Sequence, residues 1–231
     1  HVSASFVPSC GRCRYCSTGK QNLCDNGAGT LTKGMITDGT SRHHVNGEEI
    51  TVMAGLGTFA EYTVCSEMSL IKVEPDLPLA AVALVSCGVA TGWGSATNRA
   101  DVQPGDTVVV TWGQMAEKVI MTPGVMYGDL MAGANNLCGK GGTMVVTAVA
   151  PITQDSASVN LFQLAMYNKE IKGTIFGSLN PRADIPKLLG LYREGQLKLD
   201  ELITREYPLE QINEGYQHMR DGVNIRGLIK Y

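Results

Sequence analysis

Four cysteines fall within fifteen residues: Cys10, Cys13, Cys16 and Cys24, spaced C-x2-C-x2-C-x7-C. Sulfurs this close in sequence converge readily on one tetrahedral ion, and four soft thiolates suit zinc or iron. Two disulfides or four free thiols are the alternatives. Close C-x2-C spacing without a secretory pattern favours metal, and zinc in particular. A four-thiolate site has no open coordination position, so the lobe is expected to pin a loop rather than carry out chemistry.

The chain has 231 residues, enough for one large or two small domains. Hydrophobic residues make up 44% and charged residues 18%, so a packed core is expected. The net charge of −3, with both signs interspersed, argues against nucleic acid or an anionic membrane as the main partner. No apolar run approaches the ~20 residues of a membrane helix. Seven cysteines, an odd number, fit metal ligands and free thiols in a reducing, cytoplasmic setting better than a disulfide framework. His43 and His44 lie in a polar Gly/Thr-rich loop and read as ordinary loop residues. Cys65 and Cys138 read as small buried hydrophobes.

His1 to Pro8 reads as a strand already in progress. Residues 25–58 suggest an extended loop with short strands. Phe59 to Cys65 alternates weakly and predicts a strand, and Leu77 to Val85 predicts a short helix. Val102 to Val110 is a turn feeding a β-branched run, the usual entry to a buried parallel strand. A glycine-rich turn and a helix should follow, but the text passes at once to Thr111-Trp-Gly-Gln. The junction therefore reads as a missing segment, which a Val110–Thr111 Cα separation well above ~3.8 Å would reveal. Beyond it, Lys118 to Met121 and Gly142 to Pro151 predict two buried strands. The helix between them, within Met126 to Lys140, should stop at Gly139. Asn180-Pro-Arg-Ala-Asp predicts a capped helix ending at Gly195. Leu209, Ile212, Tyr216 and Met219 recur at helical spacing and predict a core-facing stripe, and Ile225 to Tyr231 predicts a closing strand.

Five stretches carry a resemblance: Phe6-Val-Pro-Ser-Cys-Gly-Arg-Cys-Arg-Tyr-Cys, Gly57-Thr-Phe-Ala-Glu-Tyr-Thr-Val, Ser86-Cys-Gly-Val-Ala-Thr-Gly-Trp-Gly, Gly173-Thr-Ile-Phe-Gly-Ser, and Ile212-Asn-Glu-Gly-Tyr to Asn224-Ile-Arg-Gly. In that order the chain resembles zinc-dependent medium-chain alcohol dehydrogenases, most of all the actinobacterial nitrosodimethylaniline-dependent group. The resemblance implies an α/β fold: a split GroES-like catalytic domain around a Rossmann-type parallel-sheet cofactor domain, both incomplete here. The implied divisions are 1–88 with the zinc lobe at 10–24, 89–175 for nucleotide binding, and 176–231 for the catalytic return. Cofactor and substrate would meet in the cleft between the domains.

The implied cofactors are a structural zinc on Cys10, Cys13, Cys16 and Cys24, a catalytic zinc with Cys87 among its ligands, and NAD. Alcohol dehydrogenases are themselves a general example of a Cys2His catalytic zinc. Thr91 would pack on the nicotinamide ring, Thr147 and Phe176 would hold its carboxamide through backbone groups, and Arg226 would contact the pyrophosphate. Phe59 and Val149 would line the substrate pocket. The implied reaction passes hydride from a primary alcohol to NAD, giving an aldehyde, in a homodimer or homotetramer. The family's remaining catalytic-zinc ligands would precede His1, and its G-x-G-x-x-G would follow Val110. No G-x-G-x-x-G occurs in these 231 residues, so they alone are expected neither to bind dinucleotide normally nor to complete the catalytic zinc. The competing readings are a thiol-dependent formaldehyde dehydrogenase and a non-catalytic zinc-pinned module.

Overall fold

The computed structural model describes residues 1–27, 40–110 and 116–231. The predicted break at Val110–Thr111 lies outside them, as does the part of the Gly/Thr-rich loop at residues 28–39. The chain divides into two compact units, one formed by His1–Val89 with Asn180–Tyr231, the other by Ala90–Leu179.

In the first unit, strand β1 (Val2–Ala4) pairs antiparallel with β4 (Leu70–Lys72), Ser3 lying opposite Ile71. The short pair β2 (His44–Val45) and β3 (Glu48–Glu49) forms a hairpin. Between β1 and β2 the zinc lobe carries one short helix, α1 (Arg14–Ser17). Helix α2 (Leu79–Val85) buries Ala81, Val82, Leu84 and Val85, as its compact apolar run predicts. Its packing partner is α6 (Pro181–Arg193), which presents Ile185, Leu188 and Leu189 at helical spacing. Helix α6 begins where the sequence says it should. The Asn180 side chain accepts from the Arg182 amide at 3.2 Å, and the Asp184 carboxylate accepts from the Asn180 amide at 2.7 Å. Together these satisfy two otherwise orphaned donors. The unit closes with β9 (Arg205–Pro208), α7 (Ile212–Arg220) and β10 (Gly227–Lys230), the two strands being parallel.

The second unit starts within α3 (Gly88–Gly94), whose last turns widen over Ser95–Ala100. Its sheet is wholly parallel, in the order β5 (Val108–Val109), β6 (Ala116–Met121), β7 (Cys138–Val146), β8 (Glu170–Gly173). Successive side chains point to opposite faces. Val119, Met121 and Met144 therefore pack with Met131 and Ala134 of α4 (Leu130–Leu137), while Ile120 and Val145 pack with Ala100. A further helix, α5 (Leu161–Met166), precedes β8. Both faces of the sheet are thus covered, as a parallel sheet requires.

Several expectations fail locally. Phe59 to Cys65 forms bends and coil, not a strand. Phe59, Tyr62 and Val64 stay exposed and Cys65 is only half-buried, and among the described residues no neighbouring strand supplies backbone partners. The α7 stripe is not core: Tyr216 and Met219 are 40% and 52% exposed, and Tyr216 meets Phe59 edge-on at 6.1 Å. Gly139 does not stop α4, since the chain turns straight into β7 at Cys138. That strand therefore starts earlier than predicted and ends at Val146, leaving residues 147–151 outside it. Among the described residues no single helix is long and apolar enough to cross a membrane.

Candidate functional site

The cysteine lobe is built by the backbone as much as by the sulfurs. Gly11, at φ +75°, turns the chain so that the Cys13 amide points at the Cys10 sulfur, 3.4 Å away. Cys13 in turn caps α1, its sulfur accepting from the Cys16 amide at 3.5 Å, and the Cys10 amide points at the Cys24 sulfur at 3.4 Å. All four sulfurs lie within 4.8 Å of one another, and Cys10 and Cys16 are 4.0 Å apart. Four sulfurs at ~2.3 Å from a tetrahedral zinc would stand about 3.8 Å apart. The described thiols are unbridged, as metal ligands would be.

Electrostatics points the same way. The Cys16 amide, helped by that of Asp25, brings the Cys13 thiol down to about 6. The Arg12 amide lowers Cys10. Burial pushes Cys24 up to about 12 against the pull of the Cys10 amide. Donors are thus in place for thiolates, yet the buried sulfur keeps its proton until a cation offsets the desolvation. The residues present fit a four-thiolate zinc.

Thr91, Thr147 and Phe176 come together in the second unit. The link is Ser95, a residue the sequence reading missed. Its hydroxyl donates to the Thr91 carbonyl at 2.7 Å and lies 2.9 Å from the Thr147 hydroxyl. The signal was present, since Ser95 stands one helical turn after Thr91. Phe176 is 1% exposed. It opens three consecutive left-handed residues, Phe176, Gly177 and Ser178, at φ +55°, +63° and +55°. Two glycines make this possible. A Cβ on Gly177 would stand 2.7 Å from the Gly94 Cα and the Thr91 carbonyl oxygen, and one on Gly94 would stand 2.2 Å from the Gly177 oxygen. Strain of this kind concentrates where backbone groups must be aimed. Val149, in the same unit, is 80% exposed.

Cys87 and Arg226 lie in the first unit. The Arg226 guanidinium fills the space a Cβ on Gly88 would take, its Nη2 standing 2.9 Å from that position. Cys87 is exposed by surface area, yet enough protein crowds its thiol to raise its pKa, with the Arg226 charge opposing. Phe59 is exposed beside Tyr216. Among the described residues Cys87 joins no group of three or more donor side chains, and neither does His43 or His44.

No family model matches the chain. It is 39% identical to the NDMA-dependent alcohol dehydrogenase of Amycolatopsis methanolica, matching all of this chain and 77% of that protein. It is 38% identical, with the same coverage, to alcohol dehydrogenase B of Mycobacterium tuberculosis. The first alignment spans 288 positions against 231 residues, so at least 57 positions of that relative have no counterpart here. Among solved structures, benzyl alcohol dehydrogenase from Acinetobacter calcoaceticus superposes with a TM-score of 0.84, at 21% identity, over all of this chain and 77% of that one. That likeness shows the medium-chain dehydrogenase fold, in an α/β chain that spans about three quarters of its relatives. Given curated relatives this similar along all its residues, the chain belongs to the zinc-dependent medium-chain alcohol dehydrogenases.

Proposed function

We propose that the protein oxidises a primary alcohol to the aldehyde, passing hydride to NAD. The observation that carries this reading is the assembly of Thr91, Ser95, Thr147 and Phe176 around the Gly94–Gly177 contact. Bound NAD would supply the hydride acceptor. The hydrogen-bonded link from the Thr91 carbonyl through the Ser95 hydroxyl to the Thr147 hydroxyl fixes one wall of the nicotinamide site, and the buried, left-handed Phe176 aims backbone groups at the carboxamide. Arg226 offers a permanent, forked cation to a phosphate. Phe59 and Val149 are assigned to the alcohol pocket.

One zinc is assigned to Cys10, Cys13, Cys16 and Cys24, where it holds the lobe. Cys87 is assigned to a second, catalytic zinc. A single donor does not make such a centre, so the described residues do not fit it on their own. Free thiols suit a cytoplasmic setting, and a homo-oligomer is the expected assembly.

A second reading is a dehydrogenase of hydroxymethyl-thiol adducts. Its support is lower, from S-(hydroxymethyl)glutathione dehydrogenase of Candida maltosa at 31% identity. The two are separated by measuring aldehyde formation from ethanol, and product formation from a formaldehyde–thiol mixture, at millimolar NAD. Faster turnover of ethanol supports the first reading. Turnover of the adduct alone sinks it in favour of the second.

A further inference from the structure

Ser95 is fully buried, so its hydroxyl must find its partners within the protein. A serine hydroxyl carries one hydrogen and two lone pairs. Its contacts are the Thr91 carbonyl oxygen at 2.7 Å and the Thr147 hydroxyl at 2.9 Å. The carbonyl has no hydrogen to give, and two oxygens that close would repel without one between them. The Ser95 hydrogen therefore lies on the Thr91 contact, and the second contact needs the Thr147 hydrogen. The Thr91 oxygen is hemmed in from another side, where a Cβ on Gly177 would stand 2.7 Å away. The direction of the link is thus fixed: Thr147 donates to Ser95, and Ser95 donates to the Thr91 carbonyl.

Thr147 is held at its backbone as well, its amide donating to the Met121 carbonyl at 3.3 Å. Its residue is only half-buried. With its hydrogen committed to Ser95, the Thr147 hydroxyl oxygen keeps lone pairs for a ligand and has nothing to donate. The ligand group it meets must then be a donor, because a second acceptor there would leave both unpaired. A carboxamide presents an amino group and a carbonyl, whereas an acetyl group of similar shape presents the carbonyl alone.

We infer that Ser95 is a positioning residue that sets cofactor specificity: by taking the Thr147 hydrogen it makes the Thr147 hydroxyl an acceptor for the amide N–H of nicotinamide, selecting a carboxamide over ring substituents that lack an N–H. The inference rests on the nicotinamide-site reading above. The test titrates the zinc-loaded protein, its fold checked by circular dichroism, with NADH and with reduced 3-acetylpyridine adenine dinucleotide, following binding by calorimetry. The analogue carries a methyl where NADH carries the amino group. One hydrogen bond of this kind corresponds to a preference for NADH of about tenfold. In Ser95→Ala the Thr147 hydrogen is released and can turn to the acetyl oxygen. The analogue should then bind about fivefold more tightly than it binds the parent, with no gain for NADH. Lost packing alone would weaken both. Thr147→Val, of nearly the same shape but without lone pairs, should lower NADH affinity about tenfold and leave the analogue within about twofold, and Thr147→Ser should keep the parent's preference. Equal binding of the two nucleotides by the parent overturns the inference and leaves the nicotinamide site standing. So does a folded Ser95→Ala protein that binds the analogue no better than the parent does. Should Ser95→Ala not fold, Thr147→Val decides, and the parent's preference persisting there overturns the inference. If neither nucleotide binds the folded, zinc-loaded parent, the inference and the nicotinamide-site reading fall together.

Discussion

Gly177→Ala tests whether the left-handed turn and the Gly94 contact build the nicotinamide wall. Gly177 sits at φ +63°, and an alanine Cβ there would stand 2.7 Å from both the Gly94 Cα and the Thr91 carbonyl oxygen. An L-residue in the left-handed region costs roughly 1–2 kcal/mol. Overpacking against backbone adds about 1–3 kcal/mol, because neither neighbour is the flexible end of a side chain. Together these give a loss of about 2–5 kcal/mol. For a unit of this size that lowers Tm by at least about 8 °C. Gly94→Ala forces the same two segments apart, its Cβ standing 2.2 Å from the Gly177 oxygen. The double variant should therefore cost less than the two single changes combined, with a coupling of about 0.5–3 kcal/mol. Urea unfolding of the four proteins measures the cycle. A Gly177→Ala protein within about 0.5 kcal/mol of the parent, or strict additivity, would refute the contact and the wall built on it.

Three further outcomes follow from other parts of the chain. Cys24→Ser is expected to empty the thiolate lobe: changes beside a metal ligand cost about 10–100-fold in affinity, and loss of a ligand should exceed that, as zinc analysis after dialysis would show. Asn180→Ala removes the cap of α6 and should cost about 1 kcal/mol in urea unfolding. Tyr192, whose pKa burial and the Asp200 carboxylate raise, should ionise above the usual tyrosine value, as followed at 295 nm. A raised folded pKa means that its stabilising contribution is full below the unfolded value near ~10 and is lost as pH rises through the folded one. Tyr192→Phe should flatten that alkaline loss of stability.

The cysteine lobe and helix α6 were legible because each is specified locally. Ligand spacing fixes the first, and the Asn180 cap with the Ile185–Leu188–Leu189 face fixes the second. The four-stranded sheet was legible in part, from its β-branched runs. What failed depended on distant partners. Phe59 to Cys65 has the residues of a strand but, among the described residues, no neighbour to pair with, and the α7 stripe has the right period but Tyr216 and Met219 stay exposed. At the site, Thr91, Thr147 and Phe176 were named through resemblance alone. Ser95 was signalled only by its place one helical turn after Thr91, whereas its contact with Thr147 and the Gly94–Gly177 approach join residues more than fifty positions apart.

The most direct test of the account follows the hydride itself. The zinc-loaded protein is incubated with a primary alcohol deuterated at C1 and millimolar NAD, and the nicotinamide is analysed by mass spectrometry. The account predicts one deuterium gained per reduced nicotinamide, matched by one equivalent of aldehyde. Aldehyde without deuterium on the nicotinamide, or no aldehyde at all from a folded, zinc-bearing chain, would contradict it.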